Sequence, residues 1–306
     1  MTDDIPSEDL VRDSLVIVLM HSDAAQYELI APGSLDAVLQ ILADSPDRYT
    51  PIAGGTELMV AMGAGRLEAG KLISLWNLEE LRFIEVKPDA IVIGAGATFT
   101  DIRRSAAIAR DLPLLAQAAS WTGSIANQNR GTLGGNLVNA SPAADSPPAL
   151  LAYDATVTLI SARGERTLPY RDFHLSYKKT VLAPDELVHN VTLLRNFSGY
   201  RQYIRKVGPR NAQAISKVAI AALARLQGGL IEEIRIGAAS LREVPARLLA
   251  TEKALIGKAV TAESIAAARV ALLGEARAID DIRSSARYRA TVAGNLLEEF
   301  LGSLPR

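Results

Sequence analysis

Residues 131–154, GTLGGNLVNASPAADSPPALLAYD, carry more information about the fold than any other stretch of the chain. Gly131, Gly134 and Gly135 fall within five residues, and glycines spaced this closely let backbone N–H groups approach a ligand with no Cβ in the way. Successive N–H groups in such a loop form a concavity that binds anions. The neutral polar side chains beside the glycines are Thr132, Asn136, Asn139 and Ser141. The stretch therefore predicts a loop that binds a diphosphate, and a plain glycine-rich surface turn is the alternative.

A second loop of the same type precedes it, in YTPIAGGTELMVAM at residues 49–62. Here a short apolar strand ends in Gly54-Gly55-Thr56 and runs into a predicted helix start. Free N–H groups and a helix dipole would then point at one spot, where they favour an anion. Two such loops in one domain predict contacts with one extended cofactor that carries a diphosphate.

The two loops, in this order and at this separation, resemble the FAD-binding subunit of molybdenum hydroxylases. That family includes enzymes of the xanthine dehydrogenase and carbon monoxide dehydrogenase type. The similarity covers about residues 25 to 305 and is carried by AGGTELM, TLGGNLVNASPAADSPPALLAYDA, YELIAPGSLDAVLQILAD, IVIGAGATFTDI, YKKTVLAPDELV, KVGPRNAQAISKVAIAA and ARYRATVAGNLL. The glycine-rich TLGGN…ASP…D element is the specific part of this resemblance, since AGGT alone is common.

The pattern of elements predicts an α+β protein, with mixed strands and helices followed by a helical end at 247–302. The resemblance implies a sharper architecture. Residues 1–24 would be an N-terminal extension. Residues 25–197 would form an FAD-binding domain of the vanillyl-alcohol-oxidase/PCMH type, with two small α/β subdomains and the cofactor between them. Residues 198–306 would form a C-terminal domain of the carbon monoxide dehydrogenase flavoprotein type, a three-stranded antiparallel sheet packed against helices.

The resemblance also implies which residues bind FAD. The first loop would cradle the diphosphate with its backbone and the Thr56 hydroxyl, through Ile52, Ala53, Gly54, Gly55, Thr56, Glu57 and Leu58. The second diphosphate contact would come from Thr132, Gly134, Gly135 and Asn136.

Four further residues would meet other parts of the cofactor. Asn139 and Asp145 match positions whose polar side chains face the ribityl or sugar hydroxyls, and Val188 matches a residue that lines the adenine or ring pocket. Lys206 matches a lysine near the pyrimidine end of the flavin, where a cation stabilises the negative charge of the reduced ring. A solvated lysine at a strand end is the alternative for Lys206.

The chain departs from the family pattern beside the ring. Animal xanthine dehydrogenases have a stacking aromatic residue where this chain has Thr122, so the neighbouring Trp121 is the aromatic candidate. The basic pair that follows the matching lysine in those enzymes is reduced here to Arg210 followed by Asn211. The final electron acceptor therefore stays open.

Composition narrows the functional class. The chain has 306 residues, a net charge of −1 and no cysteine. The charge offers no attraction for nucleic acid or an anionic membrane, and no apolar run reaches the roughly 20 residues needed to span a bilayer. Without cysteine no iron–sulfur cluster is possible on this chain, and His21, His174 and His189 are too scattered for a metal site. We expect a cytoplasmic protein whose electrons pass through an organic cofactor.

No histidine-centred triad, carboxylate pair or activated nucleophile is evident, so we assign no catalytic residue. The resemblance implies an electron-transfer subunit within a hetero-oligomer. A large molybdopterin subunit would hydroxylate the substrate, and a small subunit with two [2Fe–2S] clusters would pass electrons to this FAD. The alternatives are a self-contained FAD oxidase of the vanillyl-alcohol class and a non-catalytic assembly protein that keeps the fold.

Local patterns predict elements outside the loops. Pro32-Gly33-Ser34 followed by apolar spacing predicts a cap and a helix at 35–43. Further patterns predict a helix at 101–109, a hairpin at 163–165 and a strand at 215–227.

One motif offers a competing dinucleotide site. IVIGAGATF at 91–99 imitates the start of a Rossmann fingerprint, but Phe99 stands where the third small residue belongs. We therefore expect Gly94 and Gly96 to let a strand turn sharply.

Overall fold

The structure is a computed structural model that describes residues 26–68, 70–210 and 212–305. The predicted extension at 1–24 lies outside these residues. The first unit is a parallel sheet of three strands in the order β1-β3-β2 with two helices. Its elements are β1 (Glu28–Ile30), α1 (Leu35–Asp44), β2 (Tyr49–Ile52), α2 (Leu58–Gly63) and β3 (Lys71–Ser74).

The predicted start of α1 is confirmed. The Ser34 hydroxyl accepts a hydrogen bond from the Ala37 N–H at 3.3 Å, which satisfies one of the free donors at the helix start. The apolar residues then recur with helical spacing and are buried in a small core, through Leu35, Val38, Leu39 and Leu42. This helix fixes one face of the sheet from which the first glycine loop emerges.

The second unit is built on an antiparallel sheet in the order β4-β5-β10-β6-β7. Its strands are β4 (Ile84–Val86), β5 (Ala90–Gly94), β6 (Thr156–Ser161), β7 (Gly164–Pro169) and β10 (Leu187–Leu194), and a small hairpin adds β8 (His174–Ser176) and β9 (Lys179–Thr180). Ser161 pairs with Gly164 at the end of β6 and β7, which confirms the hairpin predicted around 163–165.

Six short helices lie between β5 and β6. They are α3 (Phe99–Arg104), α4 (Ala106–Asp111), α5 (Pro113–Trp121), α6 (Ile125–Arg130), α7 (Leu133–Val138) and α8 (Pro147–Ala152). The single helix predicted at 101–109 is wrong, because Ser105 ends one helix and caps the next. Its hydroxyl accepts from the Ile108 N–H at 3.3 Å, and serine competes in this way with a continuous helix.

The Rossmann interpretation is excluded by the strand directions. β5 runs antiparallel to both β4 and β10, whereas a dinucleotide fingerprint needs a parallel βαβ unit. A Cβ on Gly94 would overlap the Leu81 carbonyl oxygen, and one on Gly96 would lie 2.9 Å from it. These glycines therefore permit a close backbone approach. The Ala97 N–H donates to the Gly94 carbonyl at 3.0 Å, which closes the turn that the sequence predicts.

The C-terminal unit contains an antiparallel sheet in the order β11-β12-β13-β14, with three helices. Its elements are β11 (Arg201–Val207), β12 (Val218–Gln227), β13 (Leu230–Ala239), β14 (Ala246–Arg247), α9 (Leu249–Leu255), α10 (Ala262–Glu275) and α11 (Ala286–Gly302). The sheet has four strands where three were expected, because two residues of β14 pair with β13 at Gly237 and Ala238. The strand predicted from residue 215 begins only at Val218.

The fully buried helix α8 joins the C-terminal unit to the rest of the chain. A Cβ on Gly237 of β13 would overlap the Pro148 carbonyl oxygen, so this strand packs directly on the helix backbone. Nearby, the Tyr153 hydroxyl accepts from the Leu114 N–H at 3.1 Å and donates to Gln202 Oε1 at 2.6 Å. The apolar run after the second glycine loop is therefore the seam between two units.

None of the described helices has the length and apolar character required to cross a membrane.

Candidate cofactor site

The first glycine loop leaves β2 and enters α2. Ile52 still belongs to the sheet, and its carbonyl accepts from the Leu75 N–H at 2.9 Å. Gly55 then adopts a φ of +74°, a left-handed angle that a side chain disfavours. The turn is completed by Ala53, Gly54, Thr56 and Glu57, and α2 begins at Leu58.

The backbone donors of this loop are free. Among the described residues, none accepts a hydrogen bond from the N–H groups of residues 53–56. These four residues are also partly exposed. Backbone N–H groups are strong donors that are almost always paired when buried, and a run of free ones offers a cradle for an anion.

The two glycine loops touch each other. A Cβ on Gly54 would overlap the carbonyl oxygen of Arg130, the residue directly before the second loop. The Nε atom of Arg130 lies 3.4 Å from the Gly54 carbonyl oxygen. The structure therefore brings together the loops that the sequence paired, and only glycine fits at the point of contact.

The backbone of the second loop is used differently from what the sequence suggests. The Leu133 N–H donates to the Ala97 carbonyl at 2.9 Å and the Gly134 N–H to the Ala95 carbonyl at 2.8 Å. The Gly135 N–H donates to the Thr132 hydroxyl at 3.1 Å, which caps α7. The expectation of several free N–H groups here is wrong, because two of these donors dock the loop onto the segment after β5 and the third caps α7.

What the second loop exposes is glycine surface and amide side chains. Gly135 is exposed and Asn136 is half-buried. The Asn136 Oδ1 atom accepts from the Ser146 hydroxyl at 2.6 Å, which fixes the orientation of the amide. Asn139 Oδ1 accepts from Lys178 Nζ at 2.5 Å, and that ammonium lies 3.5 Å from Glu57 Oε1 of the first loop. Lys178 thus bridges the two loops.

Asp145 and Lys206 form one buried pair at the seam. The Lys206 Nζ atom lies 2.6 Å from Asp145 Oδ2, and each side chain is only 10% exposed. Lys206 also donates to the Trp121 carbonyl at 3.0 Å, and the Ser216 hydroxyl donates to Asp145 Oδ1 at 2.7 Å. Asp145 comes from the second glycine loop, whereas Lys206 and Ser216 belong to the C-terminal unit.

Burial governs the electrostatics of this pair. It raises the pKa of the Asp145 carboxyl above its ordinary value, and the Lys206 ammonium and the Ser216 hydroxyl oppose that rise. A low-dielectric environment disfavours an isolated charge, so each charge depends on the other. Lys206 is therefore not the solvated strand-end lysine that the sequence left open.

The sequence analysis also associated Trp121, Thr122 and Val188 with the flavin ring. Trp121 ends α5 and is half-buried, and the Thr122 hydroxyl donates to the Ala118 carbonyl at 3.0 Å. Val188 is 5% exposed and packs in the largest core cluster, so it presents little surface to a ligand.

Two residues near the loops received no role in the sequence analysis, namely Arg130 and Lys178. Arg130 directly precedes the second glycine loop, and Lys178 lies in the YKKT segment that resembles the family. Neither is part of a local motif that indicates ligand binding. Within the described ranges, no group of three His, Asp or Glu side chains could hold a metal ion.

Comparisons with known proteins identify the families that the two parts of this chain match. Residues 25–193 match the family model described as the FAD binding domain in molybdopterin dehydrogenase. Residues 203–304 match the CO dehydrogenase flavoprotein C-terminal domain.

Individual proteins agree with the family models. The carbon monoxide dehydrogenase medium chain of Hydrogenophaga pseudoflava is 28% identical over 91% of this chain and 96% of its own length. The nicotinate dehydrogenase FAD-subunit of Eubacterium barkeri is 30% identical over 79% of this chain and 83% of its own length. A solved structure of the H. pseudoflava carbon monoxide dehydrogenase that lacks the Mo-pyranopterin moiety of its cofactor superimposes with a TM-score of 0.87. It covers 90% of this chain and 96% of the other, at 28% identity.

Proposed function

The chain belongs to the family of FAD-binding domains of molybdopterin dehydrogenases, and on this premise we propose that it is the FAD-binding electron-transfer subunit of a molybdenum-containing hydroxylase. It would be the flavoprotein component of an oxidoreductase, with no catalytic residue that acts on the organic substrate. The observation that carries the proposal is the contact of two glycine loops across Gly54, beside a run of free backbone N–H groups.

The residues present fit FAD. The first loop offers unpaired donors from Ala53 to Thr56, and the second offers the exposed surface of Gly135 beside Asn136. We propose that these loops hold the diphosphate and that Ile52, Glu57, Leu58, Thr132 and Gly134 shape them. Bound FAD supplies the ring that accepts and releases electrons.

The ring end of the site is proposed at the Asp145–Lys206 pair. The Lys206 ammonium is held by the Trp121 carbonyl and by Asp145, so its position is fixed before any ligand arrives. A preorganised charge needs no reorganisation when charge develops beside it. Asn139 and Asp145 are proposed to face the sugar or ribityl hydroxyls, and Val188 a ring pocket, although its burial favours a packing role.

We propose the domain division at Phe197, with an FAD-binding domain of the PCMH type at 25–197 and a C-terminal domain at 198–306. The boundary lies between the two segments that match family models. Residues 1–24 are proposed to be an extension, and location in the cytoplasm stays a prediction from the sequence.

The partners are proposed from the relatives. The similar proteins are called medium chains or FAD subunits, and this chain has no cysteine for a cluster. We therefore assign the molybdopterin to a large partner subunit and the [2Fe–2S] clusters to a small one.

The test is the identity of the flavin and the activity of the isolated chain. Purified protein should be yellow, should release FAD rather than FMN on heat treatment, and should show no substrate turnover alone. Colourless protein that takes up no FAD would support an assembly protein, and turnover by the isolated chain would support a self-contained oxidase.

A further inference from the structure

Arg130 is a cation without a carboxylate partner at the contact of the two glycine loops. Within the described part of the chain, no carboxylate oxygen lies within 4 Å of its guanidinium. The other cation beside the loops, Lys178, has its charge compensated by Glu57 at 3.5 Å. Arg130 therefore offers, among the described residues, a positive charge that no carboxylate compensates at the loop contact.

The guanidinium of Arg130 is held in place from one side. Its Cζ atom lies 3.7 Å from the centroid of the Trp76 ring, a distance at which a cation is attracted to the face of the ring. Trp76 follows β3 and also lines a cleft of about 800 Å³. The ring covers one side of the guanidinium, and Arg130 as a whole is exposed.

The two Nη atoms carry four of the five N–H donors of the guanidinium. The Nε atom lies 3.4 Å from the Gly54 carbonyl oxygen, and no described residue offers an acceptor to either Nη atom. Gly54, which contacts Arg130, belongs to the run of residues 53–56 whose N–H groups make no hydrogen bond to a described residue. Backbone donors, a planar guanidinium and a missing counter-charge together define an anion site of bidentate geometry, which phosphate oxygens match.

We infer that Arg130, oriented by stacking on Trp76, binds the diphosphate of the dinucleotide and selects FAD over flavins that lack a diphosphate. This inference rests on the proposed function and adds to it a specificity-determining residue and a positioning residue. Arg130 acts directly on the ligand, and Trp76 acts through Arg130.

The test compares Kd values of the flavin-free full chain for FAD, ADP and riboflavin. Arg130→Gln removes the charge at an exposed position, so the fold should persist. We expect its Kd for FAD and for ADP to rise about tenfold, which corresponds to about 1.4 kcal/mol. The Kd for riboflavin, which has no phosphate, should not change.

Arg104→Gln is the matched control. Arg104 is also exposed, also ends a six-residue helix in the same unit, and also lacks a carboxylate partner among the described residues. It ends α3, and among the described residues no hydrogen bond, ion pair or cation–π contact joins it to the two loops, so all three Kd values should stay at the wild-type level.

Trp76 is tested through its dependence on Arg130. Trp76→Leu should weaken FAD and ADP binding about threefold or more in the wild-type background and have no effect in the Arg130→Gln background. Trp76→Phe, which restores an aromatic face, should recover most of the affinity. A merely structural tryptophan would weaken riboflavin binding as well.

The outcomes separate this inference from the proposed function. If the wild-type chain binds neither FAD nor ADP, the proposed function is wrong. If the wild-type chain binds both and Arg130→Gln matches Arg104→Gln, the function stands and Arg130 has no role at the diphosphate. An Arg130→Gln loss that is equal for riboflavin also overturns the inference. Should Arg130→Gln prove insoluble, Arg130→Lys, which keeps charge but loses the planar fork, must show the same selective loss.

Discussion

Replacing Lys206 by Met should destabilise the protein strongly at neutral pH and much less in mild acid. The change removes the ammonium 2.6 Å from Asp145 Oδ2, in a place where both side chains are only 10% exposed. Among the described residues, Asp145 would keep only the hydrogen bond from Ser216. Breaking a buried ion pair by removing one partner typically costs about 3–5 kcal/mol.

Protonation of Asp145 limits this cost. Burial already raises the pKa of Asp145 in the native protein, and Lys206 opposes that rise, so the folded-state pKa rises further in the variant. At pH 7, protonating a carboxyl with an unfolded-state pKa of about 3.9 costs about 4 kcal/mol, because each pH unit above the pKa costs about 1.36 kcal/mol. At pH 5.5 the same step costs about 2 kcal/mol.

The linkage between protonation and folding sets the direction in which the free energy of unfolding changes with pH. A carboxyl whose folded-state pKa is raised contributes its stability fully below the unfolded-state pKa, and that stability is lost as the pH rises toward the folded-state pKa. The free energy of unfolding of Lys206→Met should therefore fall between pH 5.5 and pH 7, by up to about 2 kcal/mol relative to wild type. Asp145→Asn/Lys206→Met should not show this dependence.

Urea unfolding of the flavin-free full chain at both pH values measures these quantities. Lys71→Met is the matched control, because Lys71 pairs with Glu28 at 2.5 Å with side chains that are 31% and 55% exposed. An exposed pair of this kind is worth about 0–1 kcal/mol. A Lys206→Met penalty below about 1 kcal/mol, or one that is equal at the two pH values, would refute the buried, mutually dependent pair.

Three further outcomes test the site. Gly54→Ala should abolish flavin binding because its Cβ would overlap the Arg130 carbonyl oxygen, and a full flavin content per chain would contradict the loop contact. Gly135→Val should also lose flavin but keep the fold, because the only atom near an added Cβ is the Thr132 hydroxyl oxygen at 3.0 Å; unchanged flavin absorbance in a folded variant would make this loop a plain turn. Lys206→Met should lower the flavin reduction potential by roughly 20–45 mV, the equivalent of about 1–2 kcal/mol for a partly screened cation, and Asp145→Asn should raise it. Spectroelectrochemical midpoints that coincide for all three proteins would place Lys206 away from the ring.

The sequence predicted correctly those structural features that depend on interactions between residues close together in the chain. The cap at Ser34, the hairpin at 163–165 and the sharp turn at Gly94 and Gly96 each depend on neighbouring residues or on the absence of a side chain. The break at Ser105 was missed because the helical apolar pattern continues through it, while the capping hydrogen bond to the Ile108 N–H competes with it.

Tertiary contacts decided what the sequence missed. The second glycine loop looks like a row of free donors, yet Leu133 and Gly134 donate to carbonyls of residues about forty positions earlier in the chain. No local signal indicates which carbonyl will be near. The position of Arg130 is likewise set by its contacts with Trp76 and Gly54, which are distant in the sequence. The two residues of β14 pair with β13 although no strand pattern marks them in the sequence.

The Asp145–Lys206 pair joins the second glycine loop to the C-terminal unit, so the proposed ring end depends on both. Asp145 belongs to the stretch that forms the second glycine loop, and Lys206 and Ser216 come from the C-terminal unit. Two well-packed apolar residues would often be at least as stable at such a position, so stability alone does not explain a buried pair there. A pair across the seam makes the position of the lysine depend on correct docking of the two units. In the proposed site, the diphosphate end would lie between the two N-terminal units, and the ring end would be complete only with the C-terminal unit in place.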